Sequence, residues 1–154
     1  MTEKGIAKIL PNDMVLSPLA GYTDAGFRTL AKDFGCGLTV TEMVSAKGLA
    51  MNNHVSRDLL YVAEKGVVAA QLFGGEPDAF VAALEKKCFD RFEIIDINMG
   101  CPQKKIVGIG EGCALMADVK RAEKIILAVK KSTDKLVTVK FRKGWDEKSV
   151  NCVE

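Results

Sequence analysis

Histidine is almost missing from this 154-residue chain: His54 stands alone among 22 Lys and Arg and 20 Asp and Glu. A single imidazole in a polar stretch (MNNHVSRD) excludes a multi-histidine metal site and gives a Cys-His-Asp triad no positional support. The five cysteines, Cys36, Cys88, Cys101, Cys113 and Cys152, are odd in number and never spaced as CxxC. That pattern argues against a disulfide framework and against zinc, so free thiols and no metal are expected. No run of about 18 apolar residues is present, which excludes a membrane-spanning helix. The start, MTEKGIAKIL, lacks the apolar core and cleavage site of a signal peptide. A soluble, cytoplasmic chain without a membrane partner is expected. A net charge of +2 is too mild to mark a nucleic-acid binder, and it does not exclude one whose basic surface is local.

What is present is a rhythm. Apolar, β-branched runs at 15–19, 38–43, 67–73, 93–98 and 136–142 read as buried strands. Between them lie helical patterns. Residues 24–34 follow Thr23 as a cap and stop at Gly35, 76–88 carry Pro77 in the first turn, and 118–131 end basic. The first four strands begin 23 to 29 residues apart, near the ~31 per unit expected when eight units share about 250 residues in a (β/α)8 barrel. The pattern thus predicts α/β architecture with a parallel sheet: a (β/α)8 TIM barrel of which this chain supplies about the first five strands. The alternative is a complete small open-sheet domain. Residues 148–154, with Ser149 as cap, read as the first turns of a further helix.

In DINMGCPQKK, Cys101 follows the fourth strand between a glycine and a proline, where barrel enzymes carry their chemistry. An ordinary cysteine thiol, with a pKa of about 8.5, is mostly protonated near neutrality and can donate that proton to a developing carbanion. It can also serve as a nucleophile if the thiolate is stabilised, or simply be a buried structural thiol. The glycines of GIGEG (108–112) follow GxGxG rather than GxGxxG and lie far beyond the strand end, so they read as loop flexibility rather than as a dinucleotide turn. Lys140 and Arg142, two apart in VTVKFRKGW, share one face of the fifth strand. If that face is buried, they need an anionic or electron-rich partner, either a cofactor or a core carboxylate such as Asp96 or Glu42. Gln71 and Asn98 add amides at the same rim, suited to the edge of a planar heterocycle.

Five segments in order, SPLAGYTDAGFR (17–28), TEMVSAKGL (41–49), AAQLFGGEPDAF (70–80), DINMGCPQKKIVGIGEGCALM (96–116) and VTVKFRKGWD (137–146), together resemble the tRNA-dihydrouridine synthases. The resemblance implies an FMN-dependent oxidoreductase on a TIM barrel. NADPH or NADH reduces the flavin, which passes hydride to C6 of a tRNA uridine, and a cysteine protonates C5. It implies Cys101 as that proton donor. Pro18, Leu19 and Ala20 would meet the isoalloxazine through backbone groups, with Gln71 and Lys140 at its polar edge. Asn98 and Arg142 would position the uracil or the cysteine loop, and Lys104 and Lys105 would meet tRNA phosphate. On this reading residues 1–154 are the amino-terminal half of the catalytic barrel. The later strands and a carboxyl-terminal helical tRNA-binding domain lie outside the chain, and an incomplete barrel is expected to self-associate. Two readings compete with it: another FMN barrel acting on a small molecule, of the dihydroorotate or ene-reductase type, or a non-catalytic RNA-binding remnant.

Overall fold

A computed structural model describes residues 5–153; residues 1–4 and 154 lie outside it. Its strands are β1 (Val15–Leu16), β2 (Leu38–Val40), β3 (Val44–Ser45), β4 (Val68–Phe73), β5 (Ile94–Met99) and β6 (Leu136–Phe141). The helices are α1 (Ala25–Asp33), α2 (Ala46–Ala50), α3 (His54–Asp58), α4 (Pro77–Leu84), α5 (Lys104–Val107) and α6 (Val119–Ser132), with 3₁₀ turns at Ile6–Lys8 and Gly112–Ala117. The named strands all pair in parallel, in the order β1-β2-β4-β5-β6, and β3 also lies on β4. This is the partial barrel that the strand–helix rhythm predicts, a curved run of parallel strands with helices outside.

β2 and β3 are one barrel strand interrupted. Val40 pairs with Ala69 and Val44 with Leu72, so four steps on one strand oppose three on the other, which is a bulge of one residue. The sequence reading of a continuous strand over 38–43 is corrected accordingly.

Alternation along the strands separates two cores. Outward residues such as Val44, Leu72, Ile95 and Ile97 pack under helix residues Phe80, Ile125 and Val129, all fully buried. Each such side chain contributes roughly 1.5–3 kcal/mol when removed from water. Inward residues Leu38, Val40, Ala69 and Ile94 form a smaller core, with Ile9, Leu10 and Leu136 packed against it. It occupies the amino-terminal end of the barrel interior. Beyond it, toward the strand carboxyl ends, the interior positions turn polar: Gln71, Asp96, Asn98, Thr138 and Lys140.

Helix boundaries follow local chemistry. Asp24, not Thr23, caps α1, accepting from the Phe27 N–H at 2.8 Å. Thr23 is instead fully buried and spends its hydroxyl on the Leu19 backbone. Asp118 caps α6, which ends in Lys130 and Lys131, charges that complement the helix dipole. The expected helix over 148–154 does not form among the described residues. Asp146 draws in the Lys148 N–H and the Ser149 hydroxyl, and Val150 bridges back to Gly144, closing a tight turn; Glu154 lies outside the described residues.

Phe27 and Leu30 on α1 and Phe34 at its carboxyl cap are exposed, and Val15 on β1 is about half exposed. These are apolar faces of the kind through which self-association is expected.

Candidate active site

Residues at the carboxyl ends of β4, β5 and β6 are linked by hydrogen bonds to the Cys101 loop. β5 ends at Met99, and Asn98, on the interior face, turns the chain. Its Oδ1 accepts from the Gly100 N–H at 3.2 Å and the Cys101 N–H at 3.0 Å. An asparagine that satisfies the amides two and three residues on is a local substitute for ladder bonds that have just ended. Arg142 completes the hold, its Nε donating to the Gly100 carbonyl at 2.7 Å. The Cys101 carbonyl in turn accepts from the Cys113 N–H at 3.0 Å. The cysteine is therefore fixed from three sides while remaining partly open to solvent.

The GIGEG run proves to be geometry rather than flexibility. Gly110 and Gly112 adopt φ of +78° and +61°. A Cβ on Gly112 would stand 2.6 Å from the Cys101 carbonyl oxygen and 3.1 Å from its Cβ. Only glycine permits that approach in that backbone region. The run follows α5, not a strand, so the dinucleotide reading has no strand-to-helix turn to rest on.

Lys140 pairs in register with Asn98 and shares the interior face. Among the described residues β6 pairs with β5 alone, and Lys140 and Arg142 are exposed on it. The proposed ion pairs with Asp96 or Glu42 do not form; the two ion pairs found among the described residues are Arg28–Glu64 and Arg121–Glu76. Glu42 instead accepts from the Gly21 N–H at 2.5 Å. Among the described residues Lys140 has no carboxylate within ion-pair distance, and its charge acts on Asp96.

Gln71 is 1 % exposed. Its Nε2 donates to Asp96 Oδ2 at 2.6 Å and its Oε1 accepts from Asn98 Nδ2 at 2.9 Å. One N–H and one lone pair remain for any ligand. Asp96 also accepts from the Thr138 hydroxyl at 2.5 Å. Burial pushes the Asp96 carboxyl above its ordinary range, opposed by those two hydrogen bonds and by the charge of Lys140.

Pro18, Leu19 and Ala20 form the loop after β1. The Leu19 N–H donates to the Thr23 hydroxyl at 3.0 Å, and its carbonyl accepts from the Tyr22 and Thr23 N–H groups, both at 3.0 Å. A planar ring meeting this loop through backbone polarity is therefore left with Ala20 and the Pro18 carbonyl. Behind the loop lies a buried clamp that sequence reasoning missed. Arg28, 1 % exposed, donates to Glu64 Oε1 at 2.5 Å, to the Thr23 carbonyl at 2.8 Å and to the Tyr61 carbonyl at 2.6 Å.

Lys104 and Lys105 begin α5 three and four residues beyond Cys101, both exposed, and neither joins the polar row. His54 is exposed at the start of α3, capped by Asn53, and has no hydrogen bond to the cysteine.

A sequence profile described as dihydrouridine synthase (Dus) matches residues 15–154. A tRNA-dihydrouridine synthase B of Klebsiella pneumoniae is 40% identical over 146 residues, covering 94% of this chain and 46% of that protein. A probable tRNA-dihydrouridine synthase of Rhizobium leguminosarum bv. phaseoli is 44% identical over 140 residues, covering 91% and 44%. A tRNA-dihydrouridine synthase B of Pseudomonas aeruginosa is 39% identical over 145 residues, covering 94% and 44%. The chain spans less than half the length of these curated relatives. Among the described residues no helix is long and apolar enough to cross a membrane.

Proposed function

The chain belongs to the dihydrouridine synthase family, and we propose that the protein carrying it reduces uridine to 5,6-dihydrouridine in tRNA, with Cys101 as the proton donor to C5. The observation that carries the reading is the hold on Cys101. Asn98, Arg142 and the Cys113 amide fix its backbone at a strand carboxyl end while leaving the residue accessible. The printed names of the relatives favour tRNA over a small-molecule substrate. A cytoplasmic setting goes with that substrate.

The residues present fit one edge of FMN. Lys140 offers a cation without a carboxylate partner among the described residues and Gln71 a spare amide N–H, a donor set suited to the electron-rich pyrimidine edge of an isoalloxazine. Pro18, Leu19 and Ala20 would flank it from the β1 side. When bound, FMN supplies the hydride, renewed from NADPH or NADH. The protein's own task is to orient the uracil so that C5 meets the Cys101 thiol, to hold that thiol's proton, and to keep the loop still. The uridine must leave its stack to reach the pocket, at a cost of a few kcal/mol. Contacts of Lys104 and Lys105 with phosphate offset part of it.

The test is Cys101→Ala in the full-length protein. It should keep its FMN absorbance and lose about 10²–10⁴ in uridine reduction, the usual worth of a general acid. Undiminished dihydrouridine formation would sink the proton-donor role. Oxidation of the reduced flavin by orotate or an enone, but not by unmodified tRNA, would instead favour a small-molecule reductase.

A further inference from the structure

Asp96 lies one layer beneath the cysteine loop, and the reaction as described gives it no role. Its carboxylate begins a continuous row across three strands. Oδ1 accepts from Thr138 Oγ1 on β6 and Oδ2 from Gln71 Nε2 on β4. Gln71 Oε1 then accepts from Asn98 Nδ2, and Asn98 Oδ1 accepts from the Gly100 and Cys101 N–H groups. The row thus runs from a buried charge to the backbone of the cysteine.

An amide side chain has a donor end and an acceptor end of nearly the same shape, so two amides in series can run in either direction. A carboxylate only accepts. At the head of the row it forces Gln71 to turn its NH2 inward and its oxygen toward Asn98. Asn98 must then turn its own oxygen toward the loop. Reversed, the row would set the Asn98 NH2 against two backbone N–H groups, leaving both without an acceptor. We propose that Asp96 is a positioning residue for Cys101, its carboxylate fixing the direction of the Gln71 and Asn98 amides so that an oxygen is always presented to the cysteine loop.

The charge itself supports this reading. Asp96 is 7 % exposed, and burial disfavours its ionised form; an asparagine of the same outline could bond both Thr138 and Gln71 without that penalty. What asparagine cannot do is forbid the reversed row. The charged group facing Asp96 is Lys140 of β6, which supports the ionised state. The catalytic meaning of this inference rests on Cys101 being the proton donor, whereas its structural content does not.

The experiment is residue-resolved amide hydrogen exchange on the full-length Asp96→Asn protein, with Ile95 and Ile97 as internal controls. Exchange at Gly100 and Cys101 should quicken by roughly two- to tenfold, the equivalent of one ordinary hydrogen bond, while the controls hold their wild-type rates. Adding Asn98→Asp, whose two oxygens both accept, should restore protection. Unchanged exchange at Gly100 and Cys101 in folded Asp96→Asn protein overturns the proposal. If that variant does not fold, the wild-type protein is titrated by NMR. The Gln71 side-chain ¹⁵N and the Cys101 backbone ¹⁵N should move with one common midpoint above the ordinary carboxylate range, and separate midpoints or no movement overturn it. Because exchange needs neither flavin nor tRNA, its failure is separable from failure of the Cys101→Ala test.

Discussion

Replacing Arg28 by methionine isolates the buried clamp behind the β1 loop. The guanidinium is 1 % exposed and Glu64 is 2 % exposed, so neither charge has water to fall back on. Arg28→Met removes a charge-assisted bond at 2.5 Å and strands the Thr23 and Tyr61 carbonyls. Glu64 keeps the Ala63 N–H at 3.1 Å and the Thr39 hydroxyl at 3.3 Å, which partly solvate its carboxylate without neutralising it. Breaking a buried pair from one side typically costs about 3–5 kcal/mol, a large share of the 5–15 kcal/mol that holds an ordinary domain together. Urea unfolding of the full-length protein, followed by circular dichroism, should show that loss. The double variant Arg28→Met/Glu64→Leu should recover most of it, because the stranded charge is gone. FMN content at saturation should fall in the single variant, since the Thr23 carbonyl is tied to the loop bearing Leu19. A single-variant cost below about 1 kcal/mol, or a double variant worse than the single, would refute the argument that an uncompensated buried charge dominates.

Gly112→Ala should destabilise by about 1–3 kcal/mol, the usual price of a strained backbone residue. It should also lower uridine reduction more than FMN binding, because its Cβ would press on the Cys101 carbonyl; equal losses in both would argue for a general effect on folding. Asp96 gives a pH signature. Its folded carboxyl holds the proton to higher pH than in the unfolded chain, so its contribution to stability is complete below about pH 4 and is lost as pH rises through the folded value. Asp96→Asn lacks that slope, and its melting temperature relative to wild type should rise steadily upward from pH 4. Parallel melting curves against pH would contradict the burial argument.

Much of this was readable in advance where the signal is local. Ile94, Asp96 and Asn98 alternate with Ile95, Ile97 and Met99, and Gly100 and Pro102 end the run, so the placing of Cys101 at a strand end needs only period and turn chemistry. The Arg28–Glu64 clamp was not readable, because its partners stand 36 residues apart and nothing nearby marks either as buried. The exposure of Lys140 reflects β6 pairing with β5 alone in a chain that spans less than half the length of its relatives, which VTVKFRKGW by itself does not register. The turn over 144–150 arose from Asp146, whose short side chain competes for amides that a helix would need. Helical spacing alone does not register that competition.

The bulge between β2 and β3 carries a consequence for how insertions and deletions are tolerated. Val40 faces inward, and strict alternation would turn Val44 inward as well; the one additional residue reverses parity, so Val44 joins the helix-side core instead. Removing one of residues 41–43 would leave three steps opposite three, a regular ladder in which Val44 still pairs with Leu72 and still faces outward. Deletion of the bulge residue therefore leaves β3 in its compartment, whereas deletion in the exposed turn at 51–53 takes a residue from the segment that holds Asn53, the cap of α3. The bulge thus absorbs one additional residue without cost to the pattern: it keeps β3 in phase with β4, so that Val44 stays in the helix-side core.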